Sequence, residues 1–151
     1  MAQPEIFLAH ISEDKERMQT VKEHLQGTAA LAEAFAQPFG GGEQAKLAGK
    51  LHDIGKYSRE FQHRLEGGPK VDHSTAGGKE AFQLRQIEAA FAVMGHHGGL
   101  PDYGGKNDTG DTSTLYGRPQ KKVPDYSAWQ HEIAPSPPTR PSHIPPDHHP
   151  A

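Results

Sequence analysis

Runs of glycine and proline cut this chain into short segments, and within each segment apolar residues recur at steps of three and four. That combination points to a bundle of short helices. Residues 12–36 predict the longest one, with Met18, Val21, Leu25, Thr28, Ala32 and Phe35 on one face. Ser12 or Asp14 can cap its start, and Pro38 with Gly40, Gly41 and Gly42 ends it. Residues 43–54 predict a second helix with Leu47, Leu51 and Ile54 on one side and Gly55 as its stop. Residues 58–66 predict a third, with Phe61 and Leu65 turned inward, broken by Gly67, Gly68 and Pro69. Helical signal returns over residues 73–97, interrupted near Gln83, and places Ile87, Phe91 and Met94 on one face before Gly98 and Gly99. No segment alternates as a strand would, so the expected fold class is all-α.

Beyond Leu100 the character changes. Residues 101–122 are polar and rich in Gly, Asp, Thr and Lys, as in a loop. Residues 124–133 predict a short helix with Tyr126, Trp129 and Ile133 as its apolar side. The 17 residues from Pro135 to Ala151 hold seven prolines, a composition that cannot join a helix bundle. The expected organisation is one domain over residues 1–133 followed by a Pro-rich disordered tail, residues 134–151. Apolar residues make up 33% of the 151, enough for a modest core. With 16 basic and 19 acidic residues the net charge is -3, so bulk charge supplies no footprint for nucleic acid. A nucleic-acid substrate would have to be held by metal ions and a local patch. The chain has no cysteine, which excludes disulfides and thiolate metal sites. No apolar run reaches membrane-spanning length and the N-terminus lacks a signal-peptide pattern, so a soluble cytoplasmic protein without a membrane partner is expected.

Histidines and aspartates carry the chemistry. His52-Asp53 lies in Leu-His-Asp-Ile-Gly-Lys, Asp72-His73-Ser74 follows, and His96-His97 precedes Gly98-Gly99. His24 lies upstream on the apolar face of the first helix. Imidazole and carboxylate suit Mn, Fe, Co, Ni and Zn, and an aspartate can bridge two ions through its two oxygens. Each motif also has a plain structural reading. His52-Asp53 can be a surface pair, and His96-His97 can cap a helix end. Asp72 or Ser74 can be an N-cap, or can orient the His73 ring. His24 and His10 can be core histidines with satisfied hydrogen bonds. Lys56 can be a solvated charge or can face a phosphate. His63, His131, His143, His148 and His149 have no supporting context and read as surface residues.

Together these motifs resemble the HD superfamily of metal-dependent phosphohydrolases, and more narrowly the HD nuclease domain of the type I CRISPR-associated helicase-nuclease. The resemblance covers residues 7–133. It rests on Ala9-His10, His24-Leu25, Leu51-His52-Asp53-Ile54-Gly55-Lys56, Asp72-His73-Ser74 with Gly77-Gly78, and Gly95-His96-His97-Gly98-Gly99-Leu100. Thr114-Leu115-Tyr116-Gly117-Arg118 and Val123-Pro124-Asp125-Tyr126-Ser127-Ala128-Trp129 extend it. It implies a helical domain that binds two divalent ions (Mn, Ni, Co, Fe, Mg or Zn) and cuts single-stranded DNA by attack of metal-activated water. His24, His52 and Asp53 would hold one ion, and Asp53 would bridge to a second held by His73, His96 and His97. Asp53 and Lys56 would be catalytic, with Ser74 near the phosphate and Asp72 behind it. The implied partners are single-stranded DNA, a CRISPR helicase domain or subunit and the RNA-guided surveillance complex.

The sequence departs from that pattern in one respect. The family's further aspartate, on a later helix, has no counterpart, since Asp125 and Asp147 lack apolar helical context. The expectation is a domain incomplete at its C-terminal end. Two other readings stand beside the nuclease: an HD phosphohydrolase acting on nucleotides, and a catalytically inactive truncated domain.

Overall fold

A computed structural model describes residues 5–133, so the Pro-rich tail lies outside the described residues, with Asp147 and three of the histidines read as surface residues. The described chain is mostly helical. Six helices follow a small hairpin: β1 (Leu8–Ile11), β2 (Met18–Thr20), α1 (Val21–Ala36), α2 (Gly42–Leu51), α3 (Arg59–Leu65), α4 (Thr75–Gln83), α5 (Ile87–Gly95) and α6 (Trp129–Glu132). Among the described residues no helix is long and apolar enough to cross a membrane.

The hairpin corrects the expected start of the first helix. β1 and β2 pair antiparallel, with Leu8 opposite Thr20 and Ile11 opposite Met18. Ser12 and Asp14 serve the hairpin turn instead of a helix cap. Asp14 accepts the Glu16 N–H at 3.0 Å and Ser12 Oγ accepts the Arg17 N–H at 3.0 Å. Helix α1 is capped by Thr20, whose hydroxyl accepts the Glu23 N–H at 3.1 Å while the Glu23 carboxylate accepts the Thr20 N–H at 3.3 Å.

The true buried line of α1 is Val21, Leu25 and Ala29, a step of four. Phe35, ten residues past Leu25 in the middle of that line, is about 80° off it and is 75% exposed. It does not join the core as its place in the apolar pattern suggested. Helix α2 returns along α1 so closely that a Cβ on Gly49 would sit 2.6 Å from the Ala29 Cα. It ends at Leu51, and Ile54–Tyr57 follow as a 3-10 turn. Ser58 caps α3, its hydroxyl accepting the Phe61 N–H at 3.1 Å. The helical stretch after His73 breaks at Leu84–Gln86, where Arg85 takes the left-handed conformation with φ 58°.

The core is one cluster. Val21 and Leu25 meet Leu47 and Leu51, then Ile54, Ala81, Ile87, Val93 and Met94. Leu115 from the long loop, with Trp129 and Ile133 from the last segment, closes it. Burying one such side chain contributes roughly 1.5–3 kcal/mol. The loop is therefore anchored to the bundle, although most of it is irregular, with a 3-10 turn at Arg118–Gln120. The helix expected over residues 124–133 shrinks to the single turn of α6, with Trp129 and Ile133 buried as its apolar spacing implies.

Candidate metal centre

The site is built around one carboxylate. Asp53 lies just past the end of α2, where the helix gives way to the 3-10 turn, and it is 4% exposed. The break at this point lets His52 and Asp53 converge, which two neighbours on a continuous helix could not do.

The two oxygens of Asp53 face different sets of imidazoles. Oδ2 lies 2.9 Å from His24 Nε2 and 3.3 Å from His52 Nε2, and those two nitrogens are 3.0 Å apart. Oδ1 lies 3.1 Å from His96 Nε2, 3.6 Å from His73 Nε2 and 3.9 Å from His97 Nε2. His73 and His97 approach each other to 2.8 Å through their Nε2 atoms. Four separate segments supply these rings: α1, the end of α2, the stretch before α4, and the end of α5.

The rings are held from behind. The Nδ1–H of His52 donates to the Gly49 carbonyl at 2.7 Å, and that of His96 to the Val93 carbonyl at 2.6 Å. The Nδ1–H of His73 donates to the Val71 carbonyl at 3.3 Å. With Nδ1 carrying the proton, Nε2 presents its lone pair inward. Ring nitrogens gathered at such separations around one carboxylate suit a shared cation. Neighbouring ligands on an ion held at about 2.1 Å stand about 3.0–3.4 Å apart, and the His24–His52–Asp53 spacings fit that. The donor set therefore suits divalent metal, and His24, His52 and Asp53 form one ligand-spaced group while Asp53, His96 and His97 form another. Among the described residues these groups contain no carboxylate besides Asp53.

Electrostatics favour a charged aspartate. Burial opposes ionisation of Asp53, but the imidazoles of His24, His52 and His96 beside it outweigh that and hold the carboxyl far below the usual carboxylate range. Burial pushes His73 and His97 below the ordinary histidine value. For His96 burial is outweighed by the bonds to Asp53 and to the Val93 carbonyl, and its pKa rises.

Lys56 is buried one turn beyond Asp53, its Nζ 3.2 Å from Oδ2 and 5.3 Å from the Phe61 ring centroid. Gln62 fixes this turn to the hairpin, its side-chain amide donating to the Lys56 and Leu8 carbonyls at 2.9 Å each. His97 is the open side, with its side chain 54% exposed.

Of the roles open to Asp72 and Ser74, the structure shows the one at the start of α4 and no bond from either to the His73 ring. Asp72 Oδ1 accepts the N–H groups of Ser74 at 3.2 Å and Thr75 at 3.1 Å, which caps the start of α4. Its Oδ2 takes the Thr75 hydroxyl and the Lys121 ammonium, each at 2.7 Å. The bond to the His73 ring comes from the Val71 carbonyl. The Ser74 hydroxyl is buried between Asp72 and Arg118. His10 is no core histidine either: it is exposed, and its ring packs edge-on against His24 with centroids 5.1 Å apart. His63 and His131 are exposed, as their lack of context implied. Arg118, bonded to both α4 and α5, stands in the sequence as the end of the Thr114–Arg118 motif, which gives it no role.

A family model described as HD domain matches residues 21–125, a span that contains all six residues gathered at the centre. No curated protein matches the chain.

Proposed function

This chain belongs to the HD-domain family of metal-dependent phosphohydrolases, and from that footing we propose that it is a nuclease that cleaves single-stranded DNA in CRISPR interference. The observation that carries the reading is the division of one buried carboxylate between two sets of imidazoles. His24, His52 and Asp53 would hold one ion, and Asp53, His73, His96 and His97 a second. Ions held in that way supply water activation and charge neutralisation at a phosphodiester.

The chain's own residues do the rest. The carbonyls of Gly49, Val71 and Val93 keep His52, His73 and His96 aimed inward. Asp53 stays ionised. Lys56 brings a buried positive charge to the phosphate side, where negative charge develops in the transition state. The exposed rim at His97 suits a polymer, whose backbone can cross the site without threading a closed pocket. The narrower assignment draws on the motifs Leu51–Lys56 and Gly95–Leu100, which resemble the nuclease of the CRISPR helicase. A helicase subunit and the RNA-guided surveillance complex are its proposed partners.

The test uses purified protein stripped with chelator. Labelled single-stranded DNA and free nucleotides are offered separately, with Mn, Ni, Co and Mg added in turn. Cleavage of the strand that is lost in His52→Ala and Asp53→Ala, with helical content intact, is the expected result. Hydrolysis of nucleotides with the strand untouched would assign a nucleotide phosphohydrolase instead. Bound metal with no hydrolysis of either would make this an inactive domain.

A further inference from the structure

One guanidinium ties together the two chain segments that deliver the rings on the Oδ1 side. Arg118 Nη1 donates to the Met94 carbonyl at 2.5 Å, in the last turn of α5 and two residues before His96. Its Nη2 donates to the Thr75 hydroxyl at 2.8 Å and the Ser74 hydroxyl at 3.2 Å, immediately after His73. Thr75 is fully buried and Ser74 is 7% exposed, so these bonds form in a largely dry environment. The loop that presents Arg118 is itself held by buried Leu115 and by the Arg118 N–H donating to the Thr114 carbonyl at 2.9 Å. The described bonds of the Arg118 side chain include none to the segments carrying His24 or His52.

We propose that Arg118 is a positioning residue that sets the spacing between His73 and the His96-His97 pair, and so the metal affinity of the Oδ1 half alone. A planar fork suits this task, because it satisfies acceptors on two helices at once in fixed geometry. Groups that hold ligands from behind change metal affinity by roughly 10–100-fold when removed. The proposal rests on the reading of these histidines as ligands.

The experiment is a Zn2+ titration followed by NMR of nitrogen-labelled histidine, which reports each imidazole separately, with melting curves alongside. In Arg118→Met the midpoints for His73, His96 and His97 should rise by roughly 10–100-fold, while those for His24 and His52 stay in place. Arg118→Lys should recover part of the loss. The double variant Ser74→Ala, Thr75→Val removes two acceptors instead of the donor and should give the same split if Arg118→Met does not fold. Five midpoints moving together would reduce Arg118 to general stability, and five unmoved would remove its role; either result overturns the proposal. If the parent protein shows no imidazole taking up Zn2+, the metal-centre reading falls and this inference with it. A parent that binds on both sides beside an unchanged variant defeats the Arg118 proposal alone.

Discussion

The ammonium of Lys56 and the carboxylate of Asp53 form a buried ion pair, Nζ to Oδ2 at 3.2 Å with both side chains 6% exposed. His24 and His52 approach the same oxygen, so an ion held there must share it with a positive charge. Lys56→Met removes that competitor while keeping the apolar stem against Phe61. At a separation of about 4 Å, two charges in a partly buried site interact by several kcal/mol. The variant should therefore bind divalent metal at least about tenfold tighter on the His24 side, read by direct titration. Its hydrolytic rate should nonetheless fall by about 10²–10³, the scale for losing one charge-stabilising donor. Weaker metal binding in the variant would show that Lys56 supports the ligands instead of opposing the ion.

Gly55 predicts a steric effect on the other half. A Cβ there would overlap the Cα and carbonyl of His73, so the Asp53 turn and the His73 segment touch backbone to backbone. Gly55→Ala must push them apart, and overpacking of this kind costs about 1–3 kcal/mol. Thermal unfolding should show that loss, and metal titration should show His73 dropping out first. A variant with unchanged melting and unchanged metal content would mean the two segments can yield without cost.

These two cases also show what was legible in the sequence. His52-Asp53 and His96-His97 announce themselves because each pair is contiguous and lies at a helix end, and His24 stands out against the apolar face of α1. Their convergence on opposite oxygens of Asp53 depends on the break after Leu51, which Gly55 hinted at but did not place. The hairpin was hidden because strands of four and three residues are too short to display alternation. Ser12 and Asp14 also accept N–H groups in a turn with the same chemistry they would use in a cap. Met18 belongs to β2 and not to the helix, and Phe35 lies in the last turn of α1, beyond the buried residues Val21, Leu25 and Ala29. Arg118 ends a motif that extends the resemblance, but its task could not be read there, since its partners are brought to it only by the path of a loop anchored at Leu115.

Acid should empty the centre before it unfolds the protein. Burial lowers the affinity of His73 and His97 for protons, whereas the bond to Asp53 raises that of His96 above the ordinary 6.5. A raised folded pKa adds stability below the unfolded value and loses it as pH rises, so protonated His96 favours the metal-free fold at low pH. Metal needs the neutral ring. The rise in melting temperature on adding Co2+ should thus be large at about pH 8 and shrink through about pH 6.5, the ordinary histidine value. A stabilisation that is constant from about pH 8 down to about pH 5 would remove histidine from the ligand set.

Asp72 should behave in the opposite sense. Burial opposes its ionisation, but bonds to Lys121 and to the Thr75 hydroxyl and N–H outweigh it and hold the carboxyl below the usual carboxylate range. A depressed folded pKa gives stability that is present above the unfolded value of about 3.9 and is lost as pH falls through the folded one. Most of that stability belongs to the cap on α4, because Lys121 is half exposed and a surface ion pair is worth about 0–1 kcal/mol. Asp72→Ala should cost about 1–2 kcal/mol at neutral pH, the usual scale for removing a helix cap. Asp72→Asn keeps the acceptor oxygen and removes the charge, so its deficit should be smaller. Urea unfolding of parent and Asp72→Asn at about pH 7 and about pH 3 isolates the charge, since every other acid-sensitive group is common to both. The gap between them should narrow at the lower pH. An equal gap at both would mean that the carboxylate acts only as a hydrogen-bond acceptor and that its charge contributes nothing to the start of α4.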